Sequence, residues 1–212
     1  MLSVSGSFLS RRLRQCLIAL IGVVALWSVG AVAQEQHSEI SLQGDGFYTR
    51  NSNGQGLAQR ATDTGGFLVS YRYRLNRWLS ARADYGFDRN TQEFFTTSNA
   101  AKIRSDAHTA TGGFAVSVPV PTRFKIAPYV LAEGGALVFN PNGSPFLPGA
   151  NRQARGVFVY GGGADFPIVK HISLRAEYRG LVYNAPDFGL KALDTNTITH
   201  TAVPSAGVVF RF

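Results

Sequence analysis

Histidine is the side chain best suited to acid–base chemistry near neutral pH, and this sequence of 212 residues carries four of them. They are His37, His108, His171 and His200. Nucleophilic catalysis also needs a Ser or Thr beside the imidazole and an acid that orients it. Two positions after His108 and His200, on the same face of an extended strand, the sequence has only alanine. The histidines therefore do not predict a catalytic site, and we do not expect an enzyme.

A second set of chemically active residues consists of charged side chains that alternate with apolar ones and lie among glycine, serine and threonine. They are Arg72, Arg82, Asp84, Glu133, Arg175, Glu177 and Arg179. A period of two places such residues on one face of a strand. Because a buried charge is costly unless it is paired, the presence of both signs predicts an ion-pair network. The expected pairs are Arg72 and Arg82 with Asp84, and Arg175 and Arg179 with Glu177, with Glu133 joining the set.

The elements that carry these charges are eight segments in which apolar residues alternate with small or polar ones. The last segment, 200–212, alternates without interruption, which predicts a strand with two different faces. The connections between the segments alternate in length. Long connections are expected at 51–63, 91–102, 140–152 and 184–196, and short ones at 76–78, 119–123 and 167–170.

This pattern distinguishes between two kinds of all-β protein. A soluble sandwich or a lipocalin-type barrel buries its apolar face inside. Here the polar face combines both signs of charge with glycine, which suits a narrow interior, and the other face is aliphatic and aromatic, which suits lipid. Even strand number, short periplasmic turns and longer outer loops are typical of bacterial outer-membrane barrels. The sequence therefore predicts an all-β, eight-stranded antiparallel up-and-down transmembrane β-barrel with both termini in the periplasm.

The N-terminal segment, residues 1–33, differs from the rest of the chain. Arg11, Arg12 and Arg14 precede an apolar run, 16–27, that is too short for a membrane helix, and Ala31-Val32-Ala33 follows as a cleavage site. These features predict a cleavable signal peptide at 1–33 and a barrel domain at 34–212. The only cysteine, Cys16, would leave with the signal, so no disulfide is expected.

Three pieces of the sequence resemble a known family. Residues 174–179 (LRAEYR) and 128–135 (PYVLAEGG) resemble strands of small outer-membrane barrels related to outer-membrane protein A, outer-membrane protein X and the opacity proteins. Phe212 resembles the C-terminal residue that the barrel assembly machinery recognises in this family. The resemblance implies a location in the outer membrane of a Gram-negative-type bacterium, periplasmic chaperones and the assembly machinery as partners, and contact with outer-membrane lipids and lipopolysaccharide. Because the chain ends at Phe212, the peptidoglycan-binding domain of the two-domain members is not expected.

The expected function follows from this architecture. An eight-stranded barrel is barely wide enough for its own interior side chains, so we expect a plugged, non-catalytic barrel with a structural or surface-interaction role through its outer loops. Phe94, Phe95, Phe146 and Leu147 are the candidate loop contacts, either with a partner or the lipid surface, or with each other. The alternative is a narrow porin-like channel for small solutes, and a lipid A-modifying enzyme is disfavoured. No cofactor, metal or nucleic acid is expected.

Export should remove residues 1–33. N-terminal sequencing of the protein isolated from membranes is expected to begin at Gln34, because cleavage follows the small residues Ala31 and Ala33. A sequence that begins at Met1 would contradict the signal peptide.

Overall fold

A computed structural model describes residues 37–54, 57–95, 100–119, 126–142, 151–190, 193 and 195–212. Its strands are β1 (Ser38–Thr49), β2 (Ser52–Gly54), β3 (Leu57–Ala61), β4 (Thr64–Arg74), β5 (Leu79–Phe95), β6 (Ala100–Ser117), β7 (Ala127–Pro141), β8 (Gln153–Val169), β9 (Ile172–Asn184) and β10 (Ile198–Arg211). Within these described ranges, no helix is long and apolar enough to cross a membrane.

Eight of the strands form a closed antiparallel barrel. Around the ring the order is β1, β4, β5, β6, β7, β8, β9 and β10, and β10 pairs with β1 to close it. Closure leaves the eight-stranded ring without a free edge strand, so its strands satisfy most of their backbone hydrogen bonds within the wall. The predicted eight-stranded up-and-down barrel is thereby confirmed.

Two connections that the sequence analysis assigned to loops are largely strand. Residues 51–63 contain β2 and β3, and β3 pairs with the far end of β5. Residues 91–102 continue β5 and β6, whose pairing runs on to Phe95 and Ala100. The prediction ended these strands too early because Arg89, Thr91 and Glu93 make their outward face polar. The inward alternation nevertheless continues to Phe94, which is buried.

The outer surface of the barrel wall is apolar. Large exposed side chains include Leu42, Phe114, Val130, Phe158 and Leu174, and aromatic residues gather toward both ends of the strands. At one end, Tyr85 and Phe87 of β5 pack beside His108 of β6, and Tyr160 of β8 lies beside His200 of β10. An apolar band between two aromatic girdles is typical of a wall that faces lipid.

The pairing that closes the ring is interrupted. β1 and β10 pair from Glu39 to Asp45 and again at Tyr48 and Thr49, but the register skips Gly46 and Phe47. The facing residues on β10 include Pro204, which has no N–H to donate to a neighbouring strand. The ring of Tyr48 covers Gly46, where a Cβ atom would come within 2.6 Å of that ring. This interrupted closing pair is called the seam.

The two faces of β6 should tolerate substitution differently. Gly112 is exposed and Thr109 is buried. Replacing Gly112 with Arg is expected to lower the free energy of unfolding by roughly 2–4 kcal/mol, because a cation would enter the apolar band near its middle. Thr109→Ser should cost far less. Urea unfolding measures the free energy of unfolding of both variants, and the difference in gel mobility between unheated and boiled protein reports the folded fraction. Equal losses of stability in the two variants would contradict an outer face in lipid.

Candidate functional site

The middle of the barrel interior is organised around one guanidinium group. Arg82 of β5 contacts Glu177 of β9 at 2.7 Å, Asp84 at 2.7 Å and Glu133 of β7 at 3.1 Å. Strands β5 and β9 lie on opposite sides of the ring. The Arg82–Glu177 pair therefore spans the interior from wall to wall.

A second arginine completes this group of side chains. Arg179 contacts Glu133 at 3.2 Å and Asp84 at 3.6 Å, and it donates a hydrogen bond to the Thr111 hydroxyl at 3.1 Å. The Thr111 hydroxyl in turn donates to Glu133 at 2.8 Å. All these side chains are buried. We call the set Arg82, Asp84, Glu133, Glu177 and Arg179 the central layer.

A further charged group fills the end of the barrel where β1 begins and β10 ends. Arg72, Arg175 and Arg211 each contact both Glu39 and Asp165, at distances between 2.5 and 3.3 Å. Three cations therefore share two carboxylates, and every carboxylate oxygen in the group has an arginine partner. We call these five residues the terminal layer.

Tyr129 of β7 connects the two layers. Its ring lies under the guanidinium of Arg72, with 4.1 Å between Cζ and the ring centroid, and the Arg175 guanidinium lies 5.4 Å away. Its hydroxyl donates a hydrogen bond to Glu177 of the central layer. Contact between a cation and an aromatic face is favourable, more so where water is excluded. Counted with every group ionised, the excess carboxylate of the central layer balances the excess arginine of the terminal layer.

Glycines provide the space for these long side chains. Gly113 is paired with Arg82 on one side and Glu133 on the other. Gly163 is paired with Glu177, and a Cβ atom at this position would lie 2.7 Å from the Tyr129 hydroxyl. A larger residue at Gly163 would displace the tyrosine that joins the layers.

The interior beyond the central layer is mostly apolar, and a connection between strands closes it. The buried apolar residues include Phe47, Phe94, Ile103, Leu137, Phe139, Val159, Leu181 and Tyr183, joined by Phe188 and Leu193 from the β9–β10 connection. The Phe188 ring packs edge-on against Phe94 and Phe139, with centroids 6.3 and 6.2 Å apart. We call this set the apolar layer.

Polar contacts fix Phe188 in that position. The Gln153 side-chain oxygen accepts the N–H groups of Asp187 at 2.8 Å and Phe188 at 2.9 Å. The backbone of Phe188 has φ 52°, which is uncommon for a residue with a side chain. Partial burial alone would raise the pKa of Asp187, but hydrogen bonds from Gly189 and Gln153 and the charge of Arg155 hold it below its ordinary value. This connection is therefore tied to β8 rather than left free.

His108 and His200 lie on the outward face of the barrel, each beside a tyrosine. His108 hydrogen-bonds the Tyr85 hydroxyl at 2.8 Å, and His200 hydrogen-bonds the Tyr160 hydroxyl at 2.9 Å. They project outward from β6 and β10, which are not neighbours in the ring. In the described part of the chain, no three His, Cys, Asp or Glu side chains are grouped to hold a metal ion.

The structure brings all seven predicted charges into the interior but changes their pairing. The expected pair of Arg82 with Asp84 is present. Arg72 and Arg175 pair with Glu39 and Asp165 instead of the expected acids. Arg179 pairs with Glu133 and Asp84 instead of Glu177. The prediction paired charges close in sequence, whereas long arginine side chains reach across the narrow interior. Sequence analysis missed Glu39, Asp165, Arg211 and Tyr129, although each follows the inward alternation of its strand.

The remaining predicted residues are the four candidate loop contacts and the C-terminal phenylalanine. Phe94 is buried in the apolar layer instead of exposed in a loop, and Phe95 is half-buried on the opposite face of β5. Phe146 and Leu147 lie outside the described residues. The backbone of Phe212 exchanges hydrogen bonds with Ser38 and its ring is exposed. Its recognition by the assembly machinery stays a prediction.

A closed eight-stranded β-barrel with an apolar, aromatic-girdled exterior and a charged interior is an integral outer-membrane protein. The chain belongs to the outer membrane protein beta-barrel domain family, whose family model matches residues 19–212. It is accordingly located in the cell outer membrane, among lipids and lipopolysaccharide. No curated protein matches the sequence.

Solved structures of small outer-membrane proteins share this fold. Neisserial surface protein A is similar over 82% of this chain and 97% of its own, with a TM-score of 0.56 and 18% identity. The outer membrane protein OprG from Pseudomonas aeruginosa is similar over 85% of this chain and 98% of its own, with a TM-score of 0.53 and 10% identity. At such low identity the likeness establishes the fold alone.

Removing Glu177 should destabilise the barrel more than removing a partly exposed acid. Glu177→Ala removes one of the three carboxylates around Arg82 and the acceptor of the Tyr129 hydroxyl. The two layers together then hold one uncompensated positive charge, which typically costs about 3–5 kcal/mol when it is buried. The matched control is Asp106→Ala, which removes the partly exposed partner of the exposed Arg89 and should cost far less. Urea unfolding in detergent, followed by tryptophan fluorescence, compares them. Similar losses for both variants would show that the central layer does not hold the barrel together.

Proposed function

We propose that this protein is a non-catalytic outer-membrane barrel whose interior is closed by its own side chains, and whose role is structural or an interaction made by its outer loops. The observation that carries this proposal is the stacking of three filled layers along the interior. The Arg82–Glu177 contact of 2.7 Å joins opposite walls, which leaves no straight aqueous path at that level. A barrel of eight strands has little more room than its own side chains need.

The two ends of the interior are closed by different means. At the periplasmic end, three arginines and two carboxylates interlock in the terminal layer. At the outer end, Phe188 packs into the apolar layer, and its position is fixed by Gln153. A solute would have to break a charge network and also displace a tethered connection.

The arrangement of the outer histidines supports a role without catalysis. Each imidazole has a tyrosine hydroxyl as its hydrogen-bond partner, at Tyr85 and Tyr160. A hydrolytic triad needs the imidazole to lie between a nucleophile and an orienting acid. The aromatic neighbours of His108 and His200 instead make them part of the outer girdle.

One observation favours the narrow channel as a second candidate. Inward atoms of Asp88, Asn90 and Gln92, in succession along β5, have no hydrogen-bond partner among the described residues. Buried polar atoms of this kind are usually satisfied by water. A column of water along β5 would lead through the apolar layer and end at the central layer.

Conductance distinguishes the two candidates. Purified wild-type protein in planar bilayers is expected to show no steady conductance, because the central layer blocks the interior. Large, stable, ohmic steps in conductance would contradict a blocked interior and establish the channel. If the wild type conducts, Asn90→Leu should reduce the size of the conductance steps, because it places an apolar group in the hydrated column. Thr91→Leu, on the outward face of β5, should leave the step size unchanged. The gel-mobility shift of unheated protein verifies folding in every preparation.

A further inference from the structure

Only some of the cationic side chains described at the outer rim form ion pairs. Three rim cations have acidic partners: Arg89 with Asp106, Lys102 with Glu93, and Arg155 with Asp187. Four exposed arginines, Arg50, Arg60, Arg104 and Arg152, form no ion pair with any other described residue. The described part of the rim therefore carries excess positive charge, which attracts anions.

One of these arginines borders a pocket. A cavity of about 220 Å³ lies at the rim end of β1 and β10. Its polar lining residues are Arg50, Asn51, Thr197, Thr199 and His200, and its apolar ones are Val182 and Ile198. Among the described residues, no carboxylate lines this cavity, so Arg50 has no acidic partner in the described part of its wall.

The backbone at this pocket is fixed while the guanidinium stays accessible. The Arg50 N–H donates to the His200 carbonyl at 2.9 Å, and the Thr199 hydroxyl donates to the Arg50 carbonyl at 3.2 Å. The side chain of Arg50 itself is exposed. Because the strand ends are already ordered, a ligand would need to order only one side chain.

The position of the pocket relative to the membrane follows from its neighbours. His200 hydrogen-bonds Tyr160, whose ring crosses Gly180 and stacks on Phe158 with 6.5 Å between centroids. These rings belong to the outer aromatic girdle, and such girdles lie at the level of lipid headgroups. The pocket therefore opens beside the headgroups of the outer leaflet.

We propose that the Arg50 pocket binds a phosphate group of the lipid A portion of lipopolysaccharide. A guanidinium presents paired N–H donors that match phosphate oxygens, and such charge-assisted contacts are strong. The Asn51 amide adds a neutral donor beside it, while the Thr197 and Thr199 hydroxyls already donate to the Thr195 and Arg50 carbonyls and so order the backbone of the pocket. This inference does not depend on whether side chains block the barrel interior, because the pocket lies on the outer surface of the barrel.

Binding of lipid A to the folded protein in detergent, counted by native mass spectrometry, tests the proposal. We expect wild-type protein to bind lipid A that carries both phosphates about tenfold more tightly than dephosphorylated lipid A, a ratio equivalent to about 1.4 kcal/mol. Arg50→Gln should abolish most of this preference, and Arg50→Lys should retain part of it, because the charge remains without the paired donors.

The matched control is Arg77→Gln, an exposed arginine at the opposite rim, which should bind lipid A as the wild type does. Equal binding of phosphorylated and dephosphorylated lipid A would overturn the proposal, as would equal losses from Arg50→Gln and Arg77→Gln. Binding of phosphatidylglycerol as tightly as lipid A, or displacement of lipid A by millimolar inorganic phosphate, would reject lipid A as the ligand. The gel-mobility shift confirms that each variant is folded.

Discussion

Charges enclosed in a narrow barrel must be satisfied by one another, and much of this interior is arranged around that constraint. Isolated burial of an arginine or a carboxylate would cost several kcal/mol, so each needs partners of opposite sign within reach. Arg82 meets the requirement with three carboxylates from three strands. The same contacts hold opposite walls together, so charge neutralisation and mechanical bracing come from the same atoms.

The constraint also determines which small residues the walls carry. Gly113 and Gly163 lie beside the longest charged side chains, and Tyr129 occupies the space that Gly163 leaves. Toward the outer end, where connections are long enough to fold back, apolar packing takes over from ion pairs. The uncommon backbone conformation of Phe188 is supported by the Gln153 side-chain oxygen, which accepts the N–H groups of both Asp187 and Phe188.

Sequence periodicity was sufficient for the eight strands of the wall and for the inward side of the seven charges that the prediction named. The strict alternation around Glu177 and Arg179 assigns each residue to one face, and the structure agrees. Pairing was not predictable in the same way, because alternation gives the face of Arg72 but not the strand that lies opposite it. The prediction did not include Glu39, Asp165 and Arg211, which lie near strand ends rather than in the middle of a strand. The continuation of β5 to Phe94 was missed because, outside lipid, only the inward face must stay buried.

The seam has a consequence for the order of events during folding. Thr49 and Thr201 are 152 residues apart in the sequence, and their hydroxyls lie 2.9 Å from each other, so closure joins segments that are far apart along the chain. The entropy lost in bringing such distant segments together is incurred mainly by the first contact. Since the pairing is divided at Gly46 and Phe47, the stretch from Glu39 to Asp45 can pair with β10 before Tyr48 and Thr49 do, or after them. Once either stretch has formed, the other has only a few residues left to align, and Pro204 marks the boundary between these two stages.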